Sequence, residues 1–229
     1  MLKYILSLSL LFLCAGAFAQ QNSGITEEEK KLANKGNPGL SIGIDLAPFI
    51  NHIFSDERFG VEANARYTIN RKWQIAAELG YENVDIDNSK MTYSSDGSFL
   101  RAGVDYNLFR VDEIGNNDNI LLGFRYGVAV QEHSCPRYTV TEDYWGDVTK
   151  SLGSSTVGSQ WAEFVFGLRS EIVKNFYMGW SVRFRTIINV GSEDELEPYS
   201  IPGYGRRDRT TNMGFTYTLE YHLPFSKRR

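Results

Sequence analysis

Seven apolar side chains at strict two-residue spacing end this chain, and they limit its fold more than any other feature. In Asn212–Phe225, NMGFTYTLEYHLPF, the residues Met213, Phe215, Tyr217, Leu219, Tyr221, Leu223 and Phe225 alternate with Gly214, Thr216, Thr218, Glu220 and His222. Successive side chains of a strand point to opposite faces, so this run has one apolar face and one small or polar face. It is long enough to cross a bilayer core, which takes about 9–11 tilted residues. Seven runs of the same kind precede it.

The first expected strand is Leu40–Ile50, followed by a loop containing His52, Asp56 and Glu57. The second carries Phe59 to Ile69 and the third Trp73 to Glu82, joined by a tight hairpin at Asn70-Arg71. The fourth is Leu100–Leu108, the fifth Ile120–Gln131, the sixth Ala162–Arg169 and the seventh Phe176–Arg185. Short turns are expected at Asn70-Arg71, Val111–Asn119 and Val173–Asn175. Longer polar loops are expected at Asn83–Ser98, Glu132–Gly158 and Gly191–Thr211. Short and long connections therefore alternate, and both chain ends fall on the short-turn side. That pattern predicts an all-β fold, an eight-stranded antiparallel up-and-down transmembrane β-barrel.

A soluble sandwich would show the same alternation with its polar face in water, so the contents of the polar face decide between them. Seven acids lie on it: Asp45, Glu62, Glu78, Glu82, Asp105, Glu163 and Glu220. The cations are Arg66, Arg101, Arg125, Arg169, Arg183 and Arg185, with no lysine. A solvated face would mix in lysine. A dehydrated lumen favours arginine, whose planar fork engages two carboxylates and keeps its charge. Eight strands enclose just enough room for side chains, so a side-chain-filled lumen with an ion-pair network is expected, His222 included. Outside, Tyr67, Trp73, Phe176, Tyr221 and Phe225 gather near the short turns, where an aromatic membrane girdle belongs.

The N-terminus reads as an export signal. Lys3 precedes the apolar Ile5–Leu13, and Ala17-Phe18-Ala19 is a cleavage site before Gln20. Leu13 stands where a lipoprotein signal carries a small residue, so Cys14 is read as part of the signal. The expected organisation is a cleaved signal at 1–19, a polar periplasmic tail at 20–38 and a barrel at 39–229. Loss of Lys3 takes the net charge from −4 to about −5, and no basic excess argues for nucleic acid. A mean hydropathy of −0.33 excludes a bundle of apolar membrane helices but not a barrel.

With signal, strands and terminal aromatics assembled, the chain resembles small eight-stranded Gram-negative outer-membrane barrels. Over its mature length it resembles an uncharacterised barrel family of Bacteroidota. Tyr221-x-Leu223-x-Phe225 resembles the terminal signal read by barrel-assembly machinery, although Ser226-Lys227-Arg228-Arg229 extends beyond the usual final aromatic. The resemblance implies a bacterial outer-membrane location, lipid and lipopolysaccharide around the belt, and periplasmic termini. It implies no catalytic residues.

Candidates for chemistry are few. His133-Ser134 resembles fragments of the Ser-His-acid sites of lipid A deacylases and acyltransferases, but neighbours on a strand face opposite ways and cannot pair. Cys135 is expected as a free loop thiol. Glu193, Asp194, Glu195 and Glu197 could hold calcium, but Arg206, Arg207 and Arg209 compete for them in the same loop. Tyr138, Tyr144, Trp145, Tyr199 and Tyr204 are contact-type aromatics in the expected external loops. No catalytic, metal or cofactor site is expected. The function expected is a non-catalytic subunit or scaffold of an outer-membrane complex, meeting a protein partner through the 20–38 tail or the external loops. The alternatives are a lipid A-modifying enzyme and a small pore or adhesin.

Overall fold

The computed structural model describes residues 38–54, 57–89, 91–109, 117–142, 146–191 and 198–225. The expected signal, nearly all of the tail, and the Glu193–Glu197 cluster lie outside them. Eight strands form a closed antiparallel barrel: β1 (Gly39–Asp45), β2 (Arg58–Thr68), β3 (Trp73–Asp87), β4 (Met91–Asn107), β5 (Asn119–Glu142), β6 (Gly146–Val173), β7 (Phe176–Val190) and β10 (Thr211–Pro224). Each pairs with its neighbour in sequence order, and β10 returns to β1 through Leu40↔Leu223 and Ile42↔Tyr221. A helix α1 (Ala47–Phe54) follows β1, and a small hairpin of β8 (Ser200–Ile201) and β9 (Gly205–Arg206) precedes β10.

Local chemistry makes the short turns. Between β2 and β3 the Asn70 side-chain oxygen accepts the amides of Lys72 and Trp73, each at 2.9 Å. Between β6 and β7 the turn is Lys174-Asn175, with Asn175 at φ +66°, a conformation asparagine tolerates better than most residues.

Two of the expected long loops are strand instead. β3 reaches Asp87 and β4 begins at Met91, where Asn83–Ser98 reads as a loop. β5 and β6 continue to Glu142 and Gly146, 24 and 28 residues long, through the expected loop Glu132–Gly158. The cause is a reversal of polarity at constant period. Along β3 the outward face is Trp73, Ile75, Leu79 and Tyr81, and then Asp85 and Asp87. Its inward face is Gln74 and Glu78, and then Val84 and Ile86. β4 does the same, with Ser98 and Asp96 outward beyond Leu100, and Tyr93 buried. The apolar face changes sides where the strand leaves apolar surroundings, so a scan for one continuous apolar face ends there. From Trp73 to Tyr81 the outer apolar face covers about 27 Å of strand, or about 20 Å along the axis at a tilt of 35–45°.

β1 is shorter than expected. Leu46 N still donates to Tyr217 O at 2.8 Å, but Asp45 Oδ1 accepts the amides of Ala47 and Tyr217, both at 2.9 Å, so a side chain takes the place of the return bond of that rung. Ile50 N then donates to Leu46 O at 3.0 Å, closing a helical turn. Residues 47–50, expected as strand, are helical because Asp45 ends the pairing and caps the turn.

The reversal has a direct test. In vesicle-reconstituted protein, Asp85→Cys should react with a membrane-impermeant maleimide and Leu79→Cys should not. The native Cys135 is fully buried and stays silent. Equal labelling at both sites would contradict the position of the belt.

Candidate functional site

Strand register stacks the inward charges into one cluster. It sets Glu78 opposite Arg101, Arg125 opposite Glu163, and Glu163 opposite Arg185. Glu78 is at the centre. Arg183 grips it with both terminal nitrogens at 2.6 and 2.9 Å, Arg101 Nε lies 2.9 Å away and Arg125 Nε 3.6 Å. Arg101 also pairs with Glu62 and, at 3.4 Å, with Glu163. Glu163 meets Arg183 at 3.2 Å and Arg185 at 3.4 Å, and accepts the Trp161 indole N–H at 2.7 Å. Towards the short turns, Asp105 joins Arg125 at 2.8 Å to Arg66. Glu220 then joins Arg66 at 3.6 Å to Arg169 at 2.7 Å. Arg169 lies over the Tyr177 ring at 3.7 Å and donates to Ser41 Oγ at 2.8 Å. Ser41 in turn contacts His222 Nδ1 at 3.0 Å.

Three residues expected in the network stand apart from its ion pairs. Asp45 is committed to backbone amides at the end of β1. His222 joins through Ser41 and not through Glu220. Glu82 pairs at the mouth with Arg58, at 3.4 Å. Arg58 shares the even-numbered inward phase of Glu62 but precedes Phe59, the first apolar residue of the expected run, so alternation alone does not include it. The arginines of strand β7 are paired differently than adjacency suggests. Glu163 serves both Arg183 and Arg185, but Glu220 serves neither, and the main partner of Arg183 is Glu78 on β3, across the lumen.

An apolar plug lies above the charges. The expected loop Gly191–Thr211 contains the β8–β9 hairpin, whose Ile201 and Tyr204 are 0% exposed against Phe99, Ala129 and Trp161. Pro202-Gly203 makes its turn: Tyr204 N donates to Ile201 O at 3.1 Å, and Gly203 has φ +74°. Polar contacts fasten the hairpin. Gln131 donates to Ser200 O at 2.8 Å, Arg58 to Ser200 Oγ at 2.7 Å, and Arg185 to Tyr204 O at 2.9 Å. Tyr199 and Tyr204, expected as outward contact aromatics, therefore pack inward. The Pro-Gly pair was the signal that could have announced the hairpin. Higher still, Val84, Ile86, Tyr93 and Cys135 form a second apolar layer, with Tyr138 and Tyr199 packed against it. Cys135 thus sits on a strand, not in a loop, and burial pushes its thiol pKa up. His133 is buried inside while Ser134 points outward. Tyr144 and Trp145 lie outside the described residues. At the opposite end Asn107 donates to Asn119 Oδ1 at 2.8 Å and Gln74 does so at 3.2 Å. On the outer surface there, Tyr67 packs with Phe225 and Trp73 with Tyr106, while Phe176 and Tyr221 stay exposed.

Among the described residues no group of three His, Cys, Asp or Glu side chains is placed to hold a metal ion. A family model described as a domain of unknown function matches residues 1–228. The chain belongs to the DUF6048 family. No curated protein matches it. Solved structures similar to this DUF6048 chain include Ail, the attachment invasion locus protein of Yersinia pestis, at 10% identity and a TM-score of 0.40, covering 82% of this chain and 98% of that one. Ail in complex with the heparin analogue sucrose octasulfate is similar at 12% identity and a TM-score of 0.38, with 82% and 98% covered. Acinetobacter baumannii CarO2 matches at 11% identity and a TM-score of 0.38, with 82% and 99% covered.

The pairing in this DUF6048 barrel sets the cost of breaking it. Arg183→Met leaves Glu78 and Glu163 short of a partner in a dehydrated interior, and should cost about 3–5 kcal/mol. Arg137→Met is the control, since Arg137 meets Asp87 at 3.5 Å with both side chains largely exposed, and should cost less than about 1 kcal/mol. Thermal midpoints of the gel shift between folded and boiled forms measure both. A wild-type midpoint for Arg183→Met would mean that the lumen is wet.

Proposed function

We propose that this chain is an integral bacterial outer-membrane barrel that neither conducts nor catalyses, and that it serves as a subunit or scaffold of an outer-membrane complex. The observation that carries this reading is the filled interior. Ion pairs occupy the middle of the barrel, an apolar hairpin covers them, and asparagine and glutamine side chains occupy the short-turn end. A wall with an apolar outer belt and a plugged lumen suits an anchor and leaves no water column for a pore. Lipid and lipopolysaccharide would surround the belt, with the aromatics of the short-turn end at the periplasmic interface and both termini in the periplasm. The separation of His133 from Ser134 on opposite faces supports a non-catalytic role. The strand extensions beyond the belt supply the surface for a partner, alongside the 20–38 tail. β6 outruns β7, whose pairing ends at Ser159↔Val190, so its upper edge continues without a β7 partner.

Affinity purification of the tagged chain from native outer membranes in mild detergent should give a complex of fixed stoichiometry through gel filtration. In planar bilayers the purified chain should show no steady conductance. A barrel that runs alone, together with altered lipid A in a deletion strain, would favour the lipid A-modifying enzyme. Stable channels would favour the pore.

A further inference from the structure

β1 leaves the wall half-way up. It pairs with β10 only from Gly39↔Pro224 to Asp45↔Thr218, and with β2 only as far as Ile44↔Ala63. Above that level β10 continues through Thr211–Tyr217 with β7 as its strand partner, and β2 continues through Arg58–Glu62 beside β3. One strand is thus missing between β2 and β10, a gap of about 10 Å between backbones at two strand spacings. Helix α1 stands there and covers it in part, with Phe49, Ile50 and Ile53 still exposed.

A cavity of about 920 Å³ occupies this region, and its lining crosses the wall. Val61, Trp180 and Phe215 of the outer apolar face line it together with Glu62, Arg185 and Gly214 of the inner face. Consecutive residues of an unbroken strand wall face opposite sides and share no cavity. The cavity therefore joins the apolar exterior to the polar mouth. A site with one apolar and one polar end fits a molecule of the same build. Five carboxylates line it: Asp45 is engaged by amides, Glu62 by Arg101 and Glu82 by Arg58, and Glu57 and Asp208 stand among the lining arginines Arg58, Arg206 and Arg209. At the rim, Arg206 and Arg209 form no ion pair with a described residue. We propose that this lateral slot binds an amphiphile drawn from the membrane, a linear hydrocarbon chain with an anionic head. The chain enters past Ile50, Trp180 and Phe215 where the strand is missing and passes inward along Phe99, Gly214 and Thr216, and the head meets Arg206 and Arg209.

The test uses the full chain in phosphatidylcholine vesicles with a diazirine-bearing palmitic acid, adducts being mapped by mass spectrometry. Expected are adducts on the lumen-side residues Phe99, Gly214 and Thr216, removed by excess palmitate, while adducts elsewhere on the belt persist. Arg206→Gln with Arg209→Gln should reduce the lumen-side adducts several-fold and leave the belt adducts unchanged. Competition by palmitate or by lysophosphatidic acid separates a carboxylate from a phosphate head, and either supports the site. Adducts confined to the outer face would overturn the slot. Equal competition by zwitterionic lysophosphatidylcholine, or no effect of the arginine changes, would overturn the anionic head.

Discussion

The contact on which the structure depends is the grip of Arg183 on Glu78 across the lumen, at 2.6 and 2.9 Å. It ties β7 to β3, strands that are not neighbours in the wall. Through Arg101, Glu163 and Arg125 it draws in β4, β5 and β6 as well. Each of these ions would be costly to bury alone, and each is acceptable because its neighbours carry opposite charge in bidentate or shared geometry. Small residues make the space. At Gly127 and Gly123 a Cβ would strike the Trp161 ring and the Asp105 carboxylate, respectively. A narrow barrel can hold this many long charged side chains only if other inward positions hold almost nothing.

The apolar hairpin and the charged cluster depend on each other. Ile201 and Tyr204 limit water above the ion pairs, which strengthens them by lowering the local dielectric. Arg185 in turn holds the hairpin by its backbone, at Tyr204 O. Polarity thus changes once up the axis: amides and ion pairs below, an apolar plug and a second apolar layer above. Outside, the order is reversed, apolar beside the ion pairs and polar beside the upper layers. The barrel wall has the same two-residue period throughout, and its surroundings decide which face is apolar.

This explains what could be read from the residues and what could not. The eight strands and the facing of Glu78, Arg101, Glu163 and Arg183 follow from period-two alternation, which is local and survives without coordinates. The upward extensions of β3 to β6 were hidden because a change of apolar face looks like the end of a strand. Helix α1 was hidden because Leu46 and Ile50 continue the alternation of β1, while the competing signal, the Asp45 carboxylate on two amides, needs Tyr217 from the far end of the chain. The partner of Arg183 was out of reach for a related reason. Adjacency suggests Glu163 and Glu220, but barrel curvature brings Glu78 across the interior, and register places Glu220 opposite Tyr177, beyond reach.

A filled lumen requires that Glu78 and Arg183 form a dehydrated pair. A double-mutant cycle with Glu78→Gln, Arg183→Met and the combination, read as unfolding free energies in detergent or lipid, measures that coupling directly. A buried pair should give a coupling energy of about 2–3 kcal/mol. Additive effects, within about 0.5 kcal/mol, would mean that water screens the two charges and that the lumen is not filled.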